Sequence, residues 1–207
     1  MFFRSLILTC SIPNGILPRM DNRTLILEKA LALFADRGYD AVGVQEVCDA
    51  AGITKPTLYH YFGSKLGLLE SLLKGSFKIL EERLVESTDY KGDLPFTLQR
   101  VAETYFDFAR EYPVFYRFQI GLWFSPRESE GYQVVADLNL FQYEMIEAVF
   151  SAASVQHGNM RGRHQAYALT FLGMLNNYIG LALNGYTELN RELAFRAVHQ
   201  FQHGIYS

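Results

Sequence analysis

Apolar residues recur at intervals of three and four positions along most of the chain, a spacing that predicts amphipathic helices. The first such stripe lies between Asp21 and Gly38 and consists of Leu27, Ala30, Leu31 and Phe34. A second stripe ends directly before Gly52, where a residue in the left-handed conformation would end a helix. These two stripes predict one long and one short helix.

A third, short helix is expected after them, with Thr54 as its N-cap and Pro56 in its first turn, where a missing amide hydrogen costs nothing. Gly63 ends this helix, and Ser64 is the expected cap of the next. The fourth helix is long, because one apolar stripe continues through Leu66, Leu69, Leu73, Phe77, Leu80 and Leu84.

Five more helices are predicted at 94–110, 113–124, 128–154, 162–184 and 189–203. No stretch of the sequence has the sustained two-residue alternation that is typical of strands. The pattern therefore predicts an all-α fold of about nine helices.

The composition fits a packed globular protein, since 49% of the 207 residues are hydrophobic and 14% are aromatic. Cys10 and Cys48 have no metal or redox spacing, which favours a reducing, cytoplasmic location. The apolar run from Leu6 to Cys10 is too short for a signal peptide or a membrane span. We therefore expect residues 1–20 to form a disordered extension.

The stretch GITKPTLYHYFGSKLGLL, which begins at Gly52, contains two lysines and no acidic residue, although the whole chain has a net charge of −3. Short helices joined by a tight turn that contains glycine describe a helix-turn-helix, whose second helix enters the DNA major groove. Lysines suit phosphates, whereas Thr57 and His60 can form hydrogen bonds with base edges. Leu58 and Phe62 would anchor the helix to the protein beneath it.

Residues 22–70 resemble the N-terminal DNA-binding domain of TetR-family transcriptional regulators. The matching residues are Phe34, Gly38, Tyr39, Ala50, Ala51, Gly52, Leu58, Tyr59, Tyr61, Phe62, Ser64, Lys65 and Leu68. The resemblance implies a helix-turn-helix domain at 21–68 and a ligand-binding and dimerisation domain at 69–207. It also implies DNA contacts by Gln45, Thr54, Lys55, Pro56, Thr57, Tyr59, His60, Tyr61 and Lys65. One departure is Gly43, since the family has Ser or Thr at this cap and its hydroxyl meets a phosphate.

The larger C-terminal part is rich in aromatic residues, which commonly line pockets for apolar ligands. Candidate ligand contacts are Tyr105, Tyr112, Phe115, Tyr116, Gln119, Trp123, Asn177 and Tyr178. The alternative is that these side chains form only a core aromatic cluster. A stripe of small residues near 162–184 predicts that the helices at 162–203 pair with a second copy, as the family implies; the alternative is that this stripe faces the chain's own core.

The remaining sequence carries little evidence for other chemistry. His199 and His203 are four residues apart, a spacing compatible with a metal, but no cysteine or carboxylate motif accompanies them. We expect no catalytic residues, metal or cofactor. The expected function is a homodimeric repressor that binds palindromic DNA and is released when a small, largely apolar ligand shifts the fourth helix. The alternatives are an activator, or an all-helical carrier or enzyme with a vestigial helix-turn-helix.

Overall fold

The computed structural model describes residues 21–204, so the expected extension at 1–20 lies outside the described residues. This part of the chain contains nine α-helices, one short 3₁₀ turn at Gly158–Met160 and no strand. The helices are α1 (Asn22–Arg37), α2 (Val44–Ala51), α3 (Lys55–Phe62), α4 (Lys65–Ser87), α5 (Leu94–Glu111), α6 (Pro113–Trp123), α7 (Glu130–Ala153), α8 (His164–Leu183) and α9 (Arg191–His203). The all-α prediction is confirmed.

The first three helices enclose a small core of their own. Each of them buries one apolar face, and the buried residues are Ile26, Ala30, Phe34, Val47, Cys48, Ala51, Leu58 and Phe62. Leu27 and Leu31 of the predicted α1 stripe are only partly buried. Gly52 ends α2 at φ 64° and ψ 35°, the left-handed conformation that the sequence predicts for it. The turn from α2 to α3 is therefore tight, and the exposed side of α3 is held at a fixed angle to α1 and α2.

The fourth helix joins this unit to the rest of the molecule. Ser64 caps α4, as predicted, because its Oγ accepts a hydrogen bond from the amide of Gly67 at 2.9 Å. Further along, α4 packs against α5 and α7, and its buried stripe includes Leu73, Phe77, Leu80 and Leu84. The start of α4 thus belongs to the helix-turn-helix and the remainder belongs to the larger bundle.

Helices α5 to α9 complete that bundle around a largely aromatic core. α5 contacts α4, α8 and α9, whereas α7 contacts α4, α6 and α8. The largest fully buried side chains of this part are Tyr105, Phe106, Phe108, Phe115, Tyr116, Phe150 and Phe171. α6 lies between the two parts of the molecule, since it packs against both α1 and α7.

One face of α8 remains uncovered. By length and composition α8 is apolar enough to cross a membrane, and 22% of its most apolar stretch is buried. The buried side is formed by Ala168, Phe171, Leu175 and Ile179. The small-residue stripe lies on the other side, where Ala166, Thr170, Gly173 and Asn177 are exposed. The stripe therefore does not face the chain's own core, which was the alternative for this segment.

Candidate functional site

The exposed side of α3 brings together most of the side chains that the sequence predicts for DNA contact. Leu58 and Phe62 are buried as expected, so the rest of the helix points outward. Thr57 and Lys65 are partly exposed, and the exposed candidates are Gln45, Thr54, Lys55, Pro56, Tyr59, His60 and Tyr61. We call this group the α3 surface. Because its side chains are accessible, it can meet a duplex without rearrangement of the core.

The pairing of the lysines separates the α3 surface from the rest of the molecule. The chain has six lysines, all within the described residues, and Lys29, Lys74, Lys78 and Lys91 each lie within 4.0 Å of a carboxylate oxygen. Lys55 and Lys65 form no ion pair with any described residue. Both lie on the α3 surface, so its positive charge is available to phosphates.

Two contacts near the α3 surface differ from the expected capping. Thr54 occupies the N-cap position of α3, but its hydroxyl lies 3.0 Å from the Thr57 hydroxyl and caps no backbone amide. At α2 the amide of Gly43 donates to Glu46 at 2.9 Å, which supplies half of a capping box without a Ser or Thr hydroxyl. This hydrogen bond, together with Arg37, lowers the pKa of Glu46.

Tyr39 links the α3 surface to the larger bundle. The Lys65 ammonium lies 4.1 Å from the centroid of the Tyr39 ring, a cation–π contact that orients the lysine. The Tyr39 hydroxyl donates to Glu130, the first residue of α7, at 2.7 Å. Burial, together with the Glu130 carboxylate, raises the pKa of Tyr39. One side chain thus touches both a candidate phosphate contact and helix α7 of the larger bundle.

Helix α6 makes a second link across the same boundary. Phe118 stacks on Phe34 of α1, with ring centroids 6.0 Å apart. Trp123, near the end of α6, stacks on Tyr132 of α7 at 5.4 Å and 15°. We call the contacts Tyr39–Glu130 and Phe34–Phe118 the seam. It connects the helix-turn-helix to α6 and α7.

A cavity of about 910 Å³ lies between α6, α7 and α8. Its size falls within the range of small-molecule sites in proteins. Lining residues from α6 are Gln119, Ile120 and Trp123, and α7 supplies Ala136, Asn139, Leu140, Gln142 and Tyr143. The α8 side supplies Leu169, Leu172, Gly173, Asn176, Asn177, Gly180 and Leu181, followed by Asn184 and Tyr186. The wall is predominantly apolar and suits an apolar ligand.

Of the eight candidate ligand contacts, three line this cavity: Gln119, Trp123 and Asn177. The other five do not line it. Tyr105 and Tyr116 are fully buried, and their hydroxyls donate to the lining residues Gln142 and Asn176. Tyr112 and Phe115 pack on Phe108, and Tyr178 packs on Phe106.

The lining residues from α7 were missed because a helical pattern does not reveal which neighbour a partly buried face meets. Asn139 is polar and partly exposed, Leu140 is apolar and exposed, and only the approach of α8 places both in a cavity wall. α4 contributes no residue to this wall. A ligand here would touch α6 and α7 directly, and α4 only through them.

Among residues 21–204, no third metal-binding side chain accompanies the histidine pair of α9. The rings of His199 and His203 lie with centroids 4.4 Å apart. Within residues 21–204 no group of three or more His, Cys, Asp or Glu side chains could hold a metal ion.

An all-α chain with an exposed helix-turn-helix and a separate apolar cavity has the architecture of a ligand-responsive DNA-binding regulator. Residues 26–72 match the family described as bacterial regulatory proteins, tetR family. The match covers the helix-turn-helix and the start of α4, so this part of the chain carries the family resemblance, and the relatives that the chain matches are transcriptional regulators.

Relatives with known roles regulate in opposite directions. The transcriptional activator FasR from Mycolicibacterium smegmatis is 29% identical over 188 residues, which cover 91% of this chain and 84% of FasR. The transcriptional repressor KstR2 from Rhodococcus jostii is 45% identical over 53 residues, 26% of each chain.

A solved structure extends the similarity of fold. FadR from Bacillus subtilis, solved in complex with stearoyl-CoA, has a TM-score of 0.73 at 19% identity. The superposition covers 88% of this chain and 99% of that chain.

Proposed function

We propose that this protein is a homodimeric regulator that binds a palindromic DNA operator and is released from it by a largely apolar ligand. The observation that carries the proposal is the α3 surface, which holds both of the lysines that have no ion pair with a described residue. The proposed DNA-binding unit is 21–68, and the proposed ligand-binding and dimerisation unit is 69–207.

On the α3 surface the residues take different roles. Lys55, Pro56 and Thr57, in the first turn of α3, face base edges in the major groove. The side chains further along or beside the helix, which bind phosphates or flanking bases, are Gln45, Thr54, Tyr59, His60, Tyr61 and Lys65. Lys65 lies at the N-terminal end of α4, where the helix dipole adds to its positive charge.

Dimerisation uses the uncovered face of α8 together with α9. Leu169 and Leu181 of α8 and Phe195 of α9 are exposed at 62%, 46% and 60%. The glycines and alanine beside them allow a second helix to approach closely, so two α8–α9 pairs can form a four-helix interface. A two-fold axis through this interface places two α3 surfaces on the same side of a duplex.

The ligand is a molecule with a long apolar chain, held between α6, α7 and α8. Cavity size and apolar lining support this assignment. FadR, which has the same fold, is known in complex with stearoyl-CoA, and this supports an acyl chain as the apolar part. A ligand that favours a state with displaced α6 and α7 weakens DNA binding by its difference in affinity for the two states.

The proposed sign of regulation is repression, through an operator that overlaps a promoter. Because FasR is an activator and KstR2 a repressor, the sign is tested by transcription in vitro from a promoter with its bound site. A fall in the amount of transcript on addition of the protein supports repression. A rise would show that the protein is an activator instead.

The central experiment is the selection of bound sequences from random DNA duplexes with the purified chain. We expect a palindrome whose half-sites are about one turn (~34–36 Å) or somewhat more apart. Failure to enrich any sequence, or enrichment of a single asymmetric site, would contradict the proposal that the protein binds a palindromic operator as a dimer.

A second selection tests the base-reading residues. Replacing Thr57 by Ala is expected to change the enriched sequence, because its hydroxyl lies in the first turn of α3. The matched control is Thr88→Ala, whose hydroxyl lies at the far end of α4 and donates to Leu84. If Thr57→Ala enriches the same operator as the unmodified chain and the control, Thr57 does not read bases.

A further inference from the structure

The polar groups of the cavity are all uncharged. None of its lining residues is Asp, Glu, Lys, Arg or His. Six of them carry a carboxamide instead, namely Gln119, Asn139, Gln142, Asn176, Asn177 and Asn184. A carboxylate or phosphate placed among these groups would lose its hydration without gaining a cation, which costs far more than burying a neutral polar group. The part of the ligand inside the cavity is therefore neutral.

Several of these carboxamides are already satisfied by the protein. The Tyr105 hydroxyl donates to Gln142 Oε1 at 2.9 Å, and Gln142 Nε2 donates in turn to Asn139 at 3.1 Å. The Tyr116 hydroxyl donates to Asn176 Oδ1 at 2.7 Å. These bonds fix the orientation of the α7 and α8 amides.

Gln119 is the exception. Its side chain is 4% exposed and lines the cavity, and its Oε1 is buried without a hydrogen-bond partner among the described residues. A buried acceptor without a donor costs about 1–3 kcal/mol. Protein interiors rarely keep such a group unless a ligand or water supplies the missing donor. Other atoms of Gln119 line the cavity, so rotation of the amide about its terminal side-chain bond turns Oε1 toward a donor on a ligand there.

Resting on the proposed function, we propose that the ligand is an apolar-chain lipid that carries a hydroxyl on the chain, and that this hydroxyl donates to Gln119. A hydroxyl is the smallest neutral group that provides the donor, and it can be placed on a chain without adding charge. A plain acyl chain fills the same cavity but leaves Gln119 unpaired. The charged headgroup, if the lipid has one, stays outside the carboxamide wall.

The single tryptophan of the chain provides the measurement. Trp123 lies in the cavity wall, so its fluorescence reports on an occupant. The probes are methyl laurate, a set of methyl hydroxylaurates with the hydroxyl at successive carbons, and sodium laurate. We expect one hydroxylated ester to bind about ten-fold more tightly than methyl laurate, and sodium laurate to bind more weakly than the methyl ester.

Variants assign the preference to its residue. Gln119→Leu and Gln119→Met remove the amide and keep most of the volume, so each is expected to bind methyl laurate and the hydroxylated esters with equal affinity. The matched control is Gln99→Leu, which removes another glutamine whose Oε1 has no partner but which does not line the cavity. Circular dichroism checks that each variant is folded.

The outcomes separate this proposal from the one on which it rests. Equal affinity of the unmodified chain for methyl laurate and every hydroxylated isomer overturns the hydroxyl assignment and leaves the apolar ligand standing. A preference that survives in both Gln119 variants overturns the role of Gln119. No response of Trp123 to any ester overturns the apolar-chain ligand itself and with it the hydroxyl, whereas the operator selection is unaffected.

Discussion

Lys65 combines a positive charge, unpaired among the described residues, with a fixed position at the start of α4. It has no carboxylate partner in the described part of the chain, it lies at the start of α4, and its ammonium rests on the Tyr39 ring. The ring holds the side chain without neutralising it, in contrast to the ion pairs of Lys74 and Lys78. A charge that is oriented but not paired is suited to a phosphate.

Replacing Lys65 by Ala is expected to weaken binding to all duplexes about ten-fold or more, because a charged hydrogen bond to a phosphate is lost. The slope of log affinity against log salt concentration should decrease in magnitude by about 1. Lys91→Ala is the control, since Lys91 lies beyond the other end of α4, roughly 35 Å away. Fluorescence anisotropy at several salt concentrations measures both quantities, and an unchanged slope would remove Lys65 from the contacts.

The sequence is informative about individual side chains where their role depends on their own helix. It places Lys55 and Tyr59 on an exposed face of α3 because Leu58 and Phe62 define the opposite one. It does not reveal the wall of the cavity, because Asn139 and Asn176 come from different helices and meet only after packing. Thr54 does not cap a backbone amide with its side chain, and its hydroxyl pairs with the Thr57 hydroxyl instead.

At the scale of helices, the junction between α3 and α4 leaves no room for a side chain at Gly67. A Cβ built on Gly67 would lie 2.0 Å from the carbonyl oxygen of Phe62, closer than any real contact. The backbone amide of Gly67 donates to the capping hydroxyl of Ser64, so Gly67 is fixed in the first turn of α4. The angle between α3 and α4, and hence the direction of the α3 surface, depends on this position having no side chain.

Gly67→Ala is expected to lower the free energy of unfolding by about 1–3 kcal/mol, although alanine is the better helix former. Gly75→Ala in the same helix is the control, because a Cβ at Gly75 meets nothing within 4 Å. That substitution should raise stability by about 0.5–1 kcal/mol. Urea denaturation measures both, and two changes of the same sign would contradict the close approach of α3 to α4.

The seam is the second feature at this scale, because it connects helices that are distant in sequence. Tyr39→Phe keeps the ring under Lys65 and removes the hydrogen bond to Glu130. We expect a loss of about 1 kcal/mol in stability and a smaller effect of bound ligand on DNA affinity. Operator binding with and without ligand measures this coupling.

Tyr90→Phe is the control for that experiment. The Tyr90 hydroxyl donates to Gln156 at 3.0 Å, far along the chain from the seam. Its removal should cost similar stability and leave the response to ligand unchanged. If both variants respond to ligand like the unmodified chain, the Tyr39–Glu130 contact does not transmit the signal.

At the scale of the whole molecule, stability at high pH depends on buried phenols. Complete burial raises the pKa of Tyr105 and Tyr116 above the ordinary value of 10.0. In the native state both keep their protons, whereas in the unfolded chain they ionise near pH 10. Their contribution is therefore fully present below pH 10 and is lost as pH rises above it.

We expect the free energy of unfolding to fall by about 1.4 kcal/mol per pH unit above pH 10 for each of these two tyrosines. Urea unfolding followed by circular dichroism between pH 8 and pH 11 measures the slope. Tyr116→Phe should reduce the slope by the contribution of one tyrosine, about 1.4 kcal/mol per pH unit. A slope that is unaffected by this substitution would mean that Tyr116 can ionise within the folded protein.

The overall architecture follows from the sequence more completely than the cavity does. Helix boundaries such as those of α5 and α6 agree with prediction within two residues, because Pro113 and the apolar stripes define them locally. Which helices become neighbours depends on how whole faces fit together. That is why the sequence does not reveal that α4, the helix that the ligand is expected to shift, contributes no residue to the cavity wall.

The uncovered face of α8 has one more consequence for the proposed dimer. Leu169, Gly173 and Asn177 lie on this face and also line the cavity. If two copies pair there, ligand binding changes the affinity of the two copies for each other, and dimerisation changes the affinity for the ligand by the same factor. The dose of effector needed for a response would then shift with the amount of protein in the cell. Expression level alone would set how sensitive the switch is.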